Sequence, residues 1–285
     1  MTSTFRRALR RGEEGYPERL LHAPRPPRVL WAEGDLALLD RRCVAIVGTR
    51  RATAYAERVA RELGRVLALA GATVVSGLAR GVDACAHRGA LDAGGATAAV
   101  LGTGLDHVFP RAHAQLQRTI AERGLLLSEL EPADPAHGGS FPERNRIIAA
   151  LCAATIVVEG GEQSGALITA KHALDMGRNV GAVPGPIDVP QSAGSNQLLV
   201  AGAAVIASMA DALTLAGLVA PLRPSELPQR GAERRLWDAL ALGPADLDTL
   251  CTRAALPAHE GLAAVSELEI RGMIECALSG EIRRM

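Results

Sequence analysis

Aromatic side chains are scarce: two Trp, two Tyr and three Phe make up 2% of 285 residues. A core of any size must then be aliphatic, and each ring that remains carries information. Cysteine is also sparse. The five at 43, 85, 152, 251 and 276 are odd in number, form no CxxC pair and lie mostly in apolar segments; this argues against a disulfide framework and against a structural zinc site. Net charge is missing as well, with 31 Lys and Arg against 31 Asp and Glu. No global field draws such a chain to nucleic acid or to an anionic membrane, so any such contact must come from a local patch. Gly or charge interrupts every longer apolar run before it could span a bilayer, and "MTSTFRRALRRG" lacks the apolar centre of a signal peptide. A cytoplasmic protein without a membrane partner is expected.

What is present is repetition. Short apolar runs, "CVAIVG" at 43–48, "ATVVSG" at 72–77, "ATAAVLG" at 96–102, "LLLSE" at 125–129 and "ATIVVEG" at 154–160, alternate with amphipathic segments. Such runs are the pattern of buried parallel strands. Between the first two, Val59, Leu63, Val66 and Leu67 recur at helical spacing before a capping Gly71. The unit is strand, helix, strand, and "RNVGAVPG" and "GAAVIAS" extend it. The fold class expected is α/β, with a doubly wound, mostly parallel sheet. Residues 1–42 are too short and Pro-rich for their own core and are read as an extension packed on a main domain at 43–216. Residues 217–231 carry three prolines within "VAPLRPSELPQRGA" and read as a linker. In 232–285, helices at about 233–241, 246–254 and 258–271 precede a hairpin in "MIECALSGEIRRM", the pattern of a winged helix.

Chemistry-bearing motifs sit where strands end. In "IVGTRRAT" a strand stops at Gly48 and turns through Arg50 toward a helix, a place where amides and a guanidinium favour phosphate. No second or third Gly follows, which disfavours a dinucleotide cofactor. "SGLARGVDACAH" offers Arg80 and Gly81 as phosphate contacts, with Asp83 as a candidate helix cap and His87 as a packed histidine. "GGSFPERNR" places Gly139, Ser140, Phe141, Arg144 and Arg146 together. A nucleobase stacked on such a ring is worth roughly 1–3 kcal/mol, and the arginines would hold phosphates. The competing reading has Phe141 stapling a helix that contains Ile147 and Ile148 while an arginine pairs with Glu143 or Glu159. Residues two apart on a helix diverge, so only one of Arg144 and Arg146 need face a ligand. "EGGEQSGALITAKHAL" adds Ser164 and Gly165 at a helix start, with Lys171 farther along.

Together "VAIVGTR", "VSGLARGVDACAH", "SFPERNRIIAAL", "SGALITAKHAL" and "VPGPID…GSNQLLVAGA" resemble the DNA processing protein A (DprA, also Smf) family, in order, from about residue 28 to 210. The resemblance implies an extended Rossmann-like domain that binds single-stranded DNA, forms a homodimer and helps load the RecA recombinase in natural transformation, without enzymatic activity, cofactor or metal. It assigns DNA contacts to Arg50, Gly139, Ser140, Phe141, Arg144 and Lys171. Some members carry a basic residue where this chain has Gly138, and many begin with a helical SAM-like domain, of which only the tail from about "GYPERLL" is expected here. The third helix of the winged helix carries Glu260, Glu267 and Glu269 against Arg271. It would meet phosphates with the wrong sign, so a protein-contact role is expected, or weak duplex binding through Arg283 and Arg284. The alternative is a phosphoribohydrolase of the lysine-decarboxylase-like (LOG) class. Its signature "PGGxGTxxE" is matched only by "EGGEQSGALITA", with Leu167 or Ile168 where the catalytic Glu would fall.

Overall fold

The computed structural model describes residues 6–219, 228, 231–270, 273–277 and 280–284. They divide into two compact units, Met1–Ala220 and Pro221–Met285.

The first unit begins with β1 (Arg6–Arg10) and β2 (Val29–Gly34). Strands and helices then alternate: β3 (Cys43–Val47), α1 (Ala54–Leu69), β4 (Thr73–Ser76), α2 (Val82–Asp92), β5 (Ala96–Val100), α3 (Ala114–Arg123), β6 (Leu125–Ser128), α4 (Ser140–Leu151), β7 (Ala154–Val157), α5 (Gly165–Asp175), β8 (Asn179–Ala182), α6 (Ala193–Val200), β9 (Ala204–Val205) and α7 (Met209–Ala216). The sheet order is β1-β2-β6-β5-β4-β3-β7-β8-β9. From β6 to β9 every pairing is parallel, with Val44 opposite both Val74 and Ala154. The doubly wound, mostly parallel sheet expected from the apolar runs is borne out. Each position of β3 through β7 is buried, because helices cover both faces. Leu63 and Leu67 of α1 pack with Val44 and Ile46 on one face. Ile147, Ile148 and Leu151 of α4 pack on the other with Leu20 and Leu30 from the N-terminal segment.

That segment does more than lie along the domain. β1 and β2 add two antiparallel strands, β2 pairing with β6 through Trp31 opposite Ser128. Leu9, Leu20 and Leu30 enter the core, and the Tyr16 hydroxyl donates to the Pro27 carbonyl at 2.8 Å.

The sheet order fixes where a ligand belongs. From β3 the chain winds outward through β4, β5 and β6, then returns to place β7 on the other side of β3. The turns after β3 and β7 therefore diverge and open a crevice at the carboxyl ends of the strands, where doubly wound sheets take ligands.

In the second unit α8 (Gly231–Ala239), α9 (Leu247–Ala254) and α10 (Ala258–Ile270) precede β10 (Ile274–Cys276) and β11 (Ile282–Arg284), an antiparallel pair. Leu236, Leu250, Leu268, Ile274 and Ile282 form its core. Both arginines expected to reach duplex DNA are already engaged. Arg283 pairs with Glu275 at 2.8 Å, and Arg284 lies 4.1 Å from the Trp237 ring centroid while donating to the Trp237 carbonyl. The linker read at 217–231 falls largely outside the described residues. No helix among the described residues is long and apolar enough to cross a membrane.

Candidate nucleic-acid interface

The turn after β3 is held from β7. Glu159, 3% exposed, accepts hydrogen bonds from the Thr53 amide at 2.9 Å and the Thr53 hydroxyl at 2.8 Å, and its own carbonyl accepts from the Thr49 amide at 2.7 Å. Thr53 in turn caps α1 by accepting from the Ala56 amide. Between these fixed points Arg50 and Arg51 project into solvent. Glu159→Ala is expected to cost about 1–3 kcal/mol in chemical denaturation, the range for stranding buried donors. Glu159→Gln costs less, because the Thr53 hydroxyl can turn from donor to acceptor.

The turn after β4 is held by two buried groups of opposite charge, Asp83 and Arg144, each of which bonds the Gly77 backbone. Asp83 accepts from the Gly77 and Ala79 amides at 3.1 and 3.3 Å. Burial raises its carboxyl above the ordinary value, opposed by Arg144 and by those amides. Gly81, at φ 73°, starts α2, and a β-carbon there would collide with the Thr49 carbonyl. Backbone geometry alone therefore requires glycine at this position.

Gly139, exposed and left-handed at φ 95°, leads into α4. Ser140 is buried, and its hydroxyl exchanges hydrogen bonds of 2.7 Å with the His137 backbone, so it shapes the turn. Phe141 is half-buried. Its ring lies against Gly102 so closely that a β-carbon there would be 3.0 Å from Cε1, and the Arg50 guanidinium stands 5.3 Å from its centroid. Arg144, 6% exposed, donates to the Gly77 carbonyl at 2.8 Å and to the Val100 carbonyl. Burial lowers its guanidinium to about 10, offset in part by Asp83 and reinforced by Arg50. Arg144 thus ties the ends of β4 and β5 to α4.

Arg146 corrects the expectation of a phosphate contact. It diverges from Arg144 as helical spacing requires and places its guanidinium 2.6 Å from both Glu129 oxygens. The partner is neither Glu143 nor Glu159, and Arg146 does not line the crevice. Ser164 and Gly165 do line it at the start of α5, with Asn145 donating from α4 to the Gly165 carbonyl at 3.1 Å. Lys171 is exposed farther along α5, outside the crevice lining.

The crevice is a cavity of about 740 Å³ whose wall includes Arg50, Arg51, Phe141, Arg144, Ser164 and Gly165. A second cavity, of about 610 Å³, adjoins it across Phe141 and Arg144 and extends to Arg80, Phe109 and Arg111. A basic, aromatic-walled crevice at the switch of strand order thus joins four of the five sequence blocks, Ala79 and Asp83 entering its wall from the second.

The family described as DNA recombination-mediator protein A matches residues 7–217, and the DprA winged helix domain matches residues 215–280. The chain belongs to the DNA recombination-mediator protein A family. Protein Smf of Escherichia coli strain K12 is 37% identical over 281 residues, spanning 95% of this chain and 75% of its own length. The X-ray structure of DNA processing protein A from Streptococcus pneumoniae aligns with a TM-score of 0.70 at 37% identity, covering 75% of this chain and 74% of that one. A structure of the Helicobacter pylori protein, concerned with its single-stranded DNA binding mode, aligns with a TM-score of 0.67 at 34% identity, covering 75% of this chain and 96% of that one. The resemblance read from the ordered motifs is borne out, as is the winged helix.

Within this DprA fold, residues that sequence reasoning passed over stand in the wall. Phe109 lies 4.9 Å from Phe141, centroid to centroid, with the planes 38° apart. Arg51 and Arg111 flank the rings. A signal was present: "FPR" at 109–111 repeats the aromatic, proline and arginine composition of "FPER" at 141–144.

Proposed function

We propose that this chain binds single-stranded DNA across the crevice, protects it, and helps load RecA recombinase in natural transformation and recombination, working in the cytoplasm as a homodimer. The observation that carries the reading is the Arg50 guanidinium standing over the Phe141 ring at the strand-order switch, with Arg51 beside it. A base arriving on the ring displaces Arg50 toward the phosphate, so one movement makes a stacking contact and an ion pair. Gly139 beside the ring lets the backbone approach closely, and Ser164 and Gly165 offer the start of α5 to a neighbouring phosphate. Lys171 serves a strand that continues over α5. Arg144 lines both cavities, and Arg80 at the far side extends the basic wall. The single-stranded DNA binding described for the H. pylori relative supports the reading.

Fluorescence anisotropy of a labelled single-stranded oligonucleotide over a salt series tests it. Wild-type binding is expected to weaken as salt rises, with Phe141→Ala costing roughly 1–3 kcal/mol. Arg50→Ala flattens the dependence of log K on log salt by about 0.7, the share of the one phosphate that Arg50 neutralises. A wild type that binds no oligonucleotide overturns the proposal.

The protein is read as a binding protein, not an enzyme. At the start of α5 the positions that would hold the hydrolase carboxylate are Leu167 and Ile168. Release of free base from a nucleoside monophosphate would reverse that reading. The winged helix is read as a protein-contact module, since Glu260, Glu267 and Glu269 are exposed on α10 while Arg283 and Arg284 are engaged within the unit. Arg283→Ala in the full chain is accordingly expected to leave duplex DNA affinity unchanged in a parallel titration.

A further inference from the structure

The second cavity is not needed to hold a base on Phe141, yet it is built as if for a ligand of the same kind. Its walls are the turn after β4, ending at Arg80, and the segment after β5, from Leu101 to Arg111. Phe109 belongs to the second wall and is 47% exposed in a chain that has three Phe in all. Set in a concave wall 4.9 Å from the Phe141 ring, it offers a second planar face to a ligand.

The platform is braced. The ring Nδ1 of buried His113 is 3.0 Å from the Leu78 carbonyl, which ties this segment to the turn after β4. The His107 carbonyl accepts from the Thr103 hydroxyl at 3.3 Å and from the Gln117 amide at 3.2 Å, and the His107 ring is 2.7 Å from the Ala133 carbonyl. A ring fixed this way loses little freedom when a planar partner arrives.

The charge is of one sign. No carboxylate lines this cavity, while Arg50, Arg51, Arg80, Arg111 and Arg144 do. Arg80 and Arg111 are exposed and have no ion-pair partner among the described residues. Planar ring, flanking guanidiniums and continuity with the first cavity through Phe141 are the requirements of a single strand passing from one nucleotide position to the next.

Resting on the function proposed above, we infer that this groove is a second nucleotide subsite, in which Phe109 stacks the base adjacent to the one on Phe141 and Arg80 and Arg111 hold its flanking phosphates. The strand runs from the turn after β7, over Phe141 and Phe109, toward the segment after β5.

The test is anisotropy with thymidine oligonucleotides from about 3 to about 15 nucleotides, a range that brackets single-strand site sizes. Phe109→Leu keeps an apolar contact for Phe141 but removes the ring. Its loss of affinity is expected to grow with oligonucleotide length, to about ten-fold for the longest. Arg80→Ala combined with Arg111→Ala, both at exposed positions, is expected to flatten the salt dependence by about 1.4, or 0.7 for each phosphate. Phe109→Trp adds a reporter whose emission the oligonucleotide should quench over the background of Trp31 and Trp237. If Phe109→Leu matches the wild type at every length and the introduced Trp is not quenched, while Phe141→Ala still loses binding, the second subsite is wrong and the first stands. If the wild type binds no oligonucleotide, both fall. Should Phe109→Leu unfold, as judged by circular dichroism, the arginine pair decides alone, and an unchanged salt slope refutes the subsite.

Discussion

Arg144→Ala is expected to destabilise the first unit by several kcal/mol, about 1–3 kcal/mol for each buried acceptor it strands, with a further cost from the opposite charge left buried on Asp83. The guanidinium is 6% exposed and satisfies the carbonyls of Gly77 and Val100. Its loss leaves those acceptors facing a void and leaves the Asp83 carboxylate buried without its counter-charge. The Asp83 carboxyl, already raised by burial, can then take up a proton, so the penalty should shrink as pH falls. Arg144→Ala together with Asp83→Asn should recover part of the loss, because the stranded charge is gone while a side chain remains to accept from the Gly77 and Ala79 amides. Arg144→Lys should fall between, since a single ammonium cannot reproduce the planar fork that spans two strand ends. Urea denaturation of the four proteins measures all of this. It also separates roles at the crevice: weakened DNA binding in Arg144→Ala follows from displaced turns, whereas weakened binding in Arg50→Ala, an exposed site, reports direct engagement of the strand. A double variant of Arg144 and Phe141 would merge these causes.

The parallel strands from β3 to β7 are legible in sequence because burial on both faces leaves continuous apolar runs. β1 and β2 are not. "RRALR" alternates exposed arginine with a single buried Leu9, and a short edge strand of that kind looks like a charged tail until its partner is known. The crevice shows the same division. Gly48, Arg50 and Phe141 are visible because strand-to-helix turns and scarce aromatics mark themselves. The fates of Arg144 and Arg146 are not, because spacing says only that they diverge. Which of them reaches ligand, main chain or carboxylate is decided by Gly77, Val100 and Glu129, which three other strands deliver. Phe109 is hidden for a different reason. It sits in a segment without periodicity, where nothing local reveals that the end of β5 brings it beside the start of α4.

His87 makes the second large prediction, a loss of stability in mild acid. Its side chain is fully buried on α2, with Nδ1 2.7 Å from the Thr97 hydroxyl oxygen. That hydroxyl donates to the Val74 carbonyl at 2.8 Å, so it can only accept from the imidazole. Nδ1 therefore carries the proton, and Nε2 is left buried without a partner. A second proton would have to sit on Nε2 as a charge shut away from water. Burial first, then repulsion from Arg144 and His113, holds the imidazole down to about 3. The unfolded chain takes up that proton near 6.5, whereas the folded chain refuses it until about 3, so stability is complete above 6.5 and drains away below it. The loss should reach about 2 kcal/mol by pH 5 and about 3 kcal/mol by pH 4. His87→Gln retains a donor for Thr97 but cannot titrate. Subtracting its pH profile from the wild-type profile removes what the carboxylates contribute. Chemical denaturation at several pH values should show the two profiles diverging below 6.5; parallel profiles would mean that His87 is protonated in the folded state and that the buried-imidazole account is wrong.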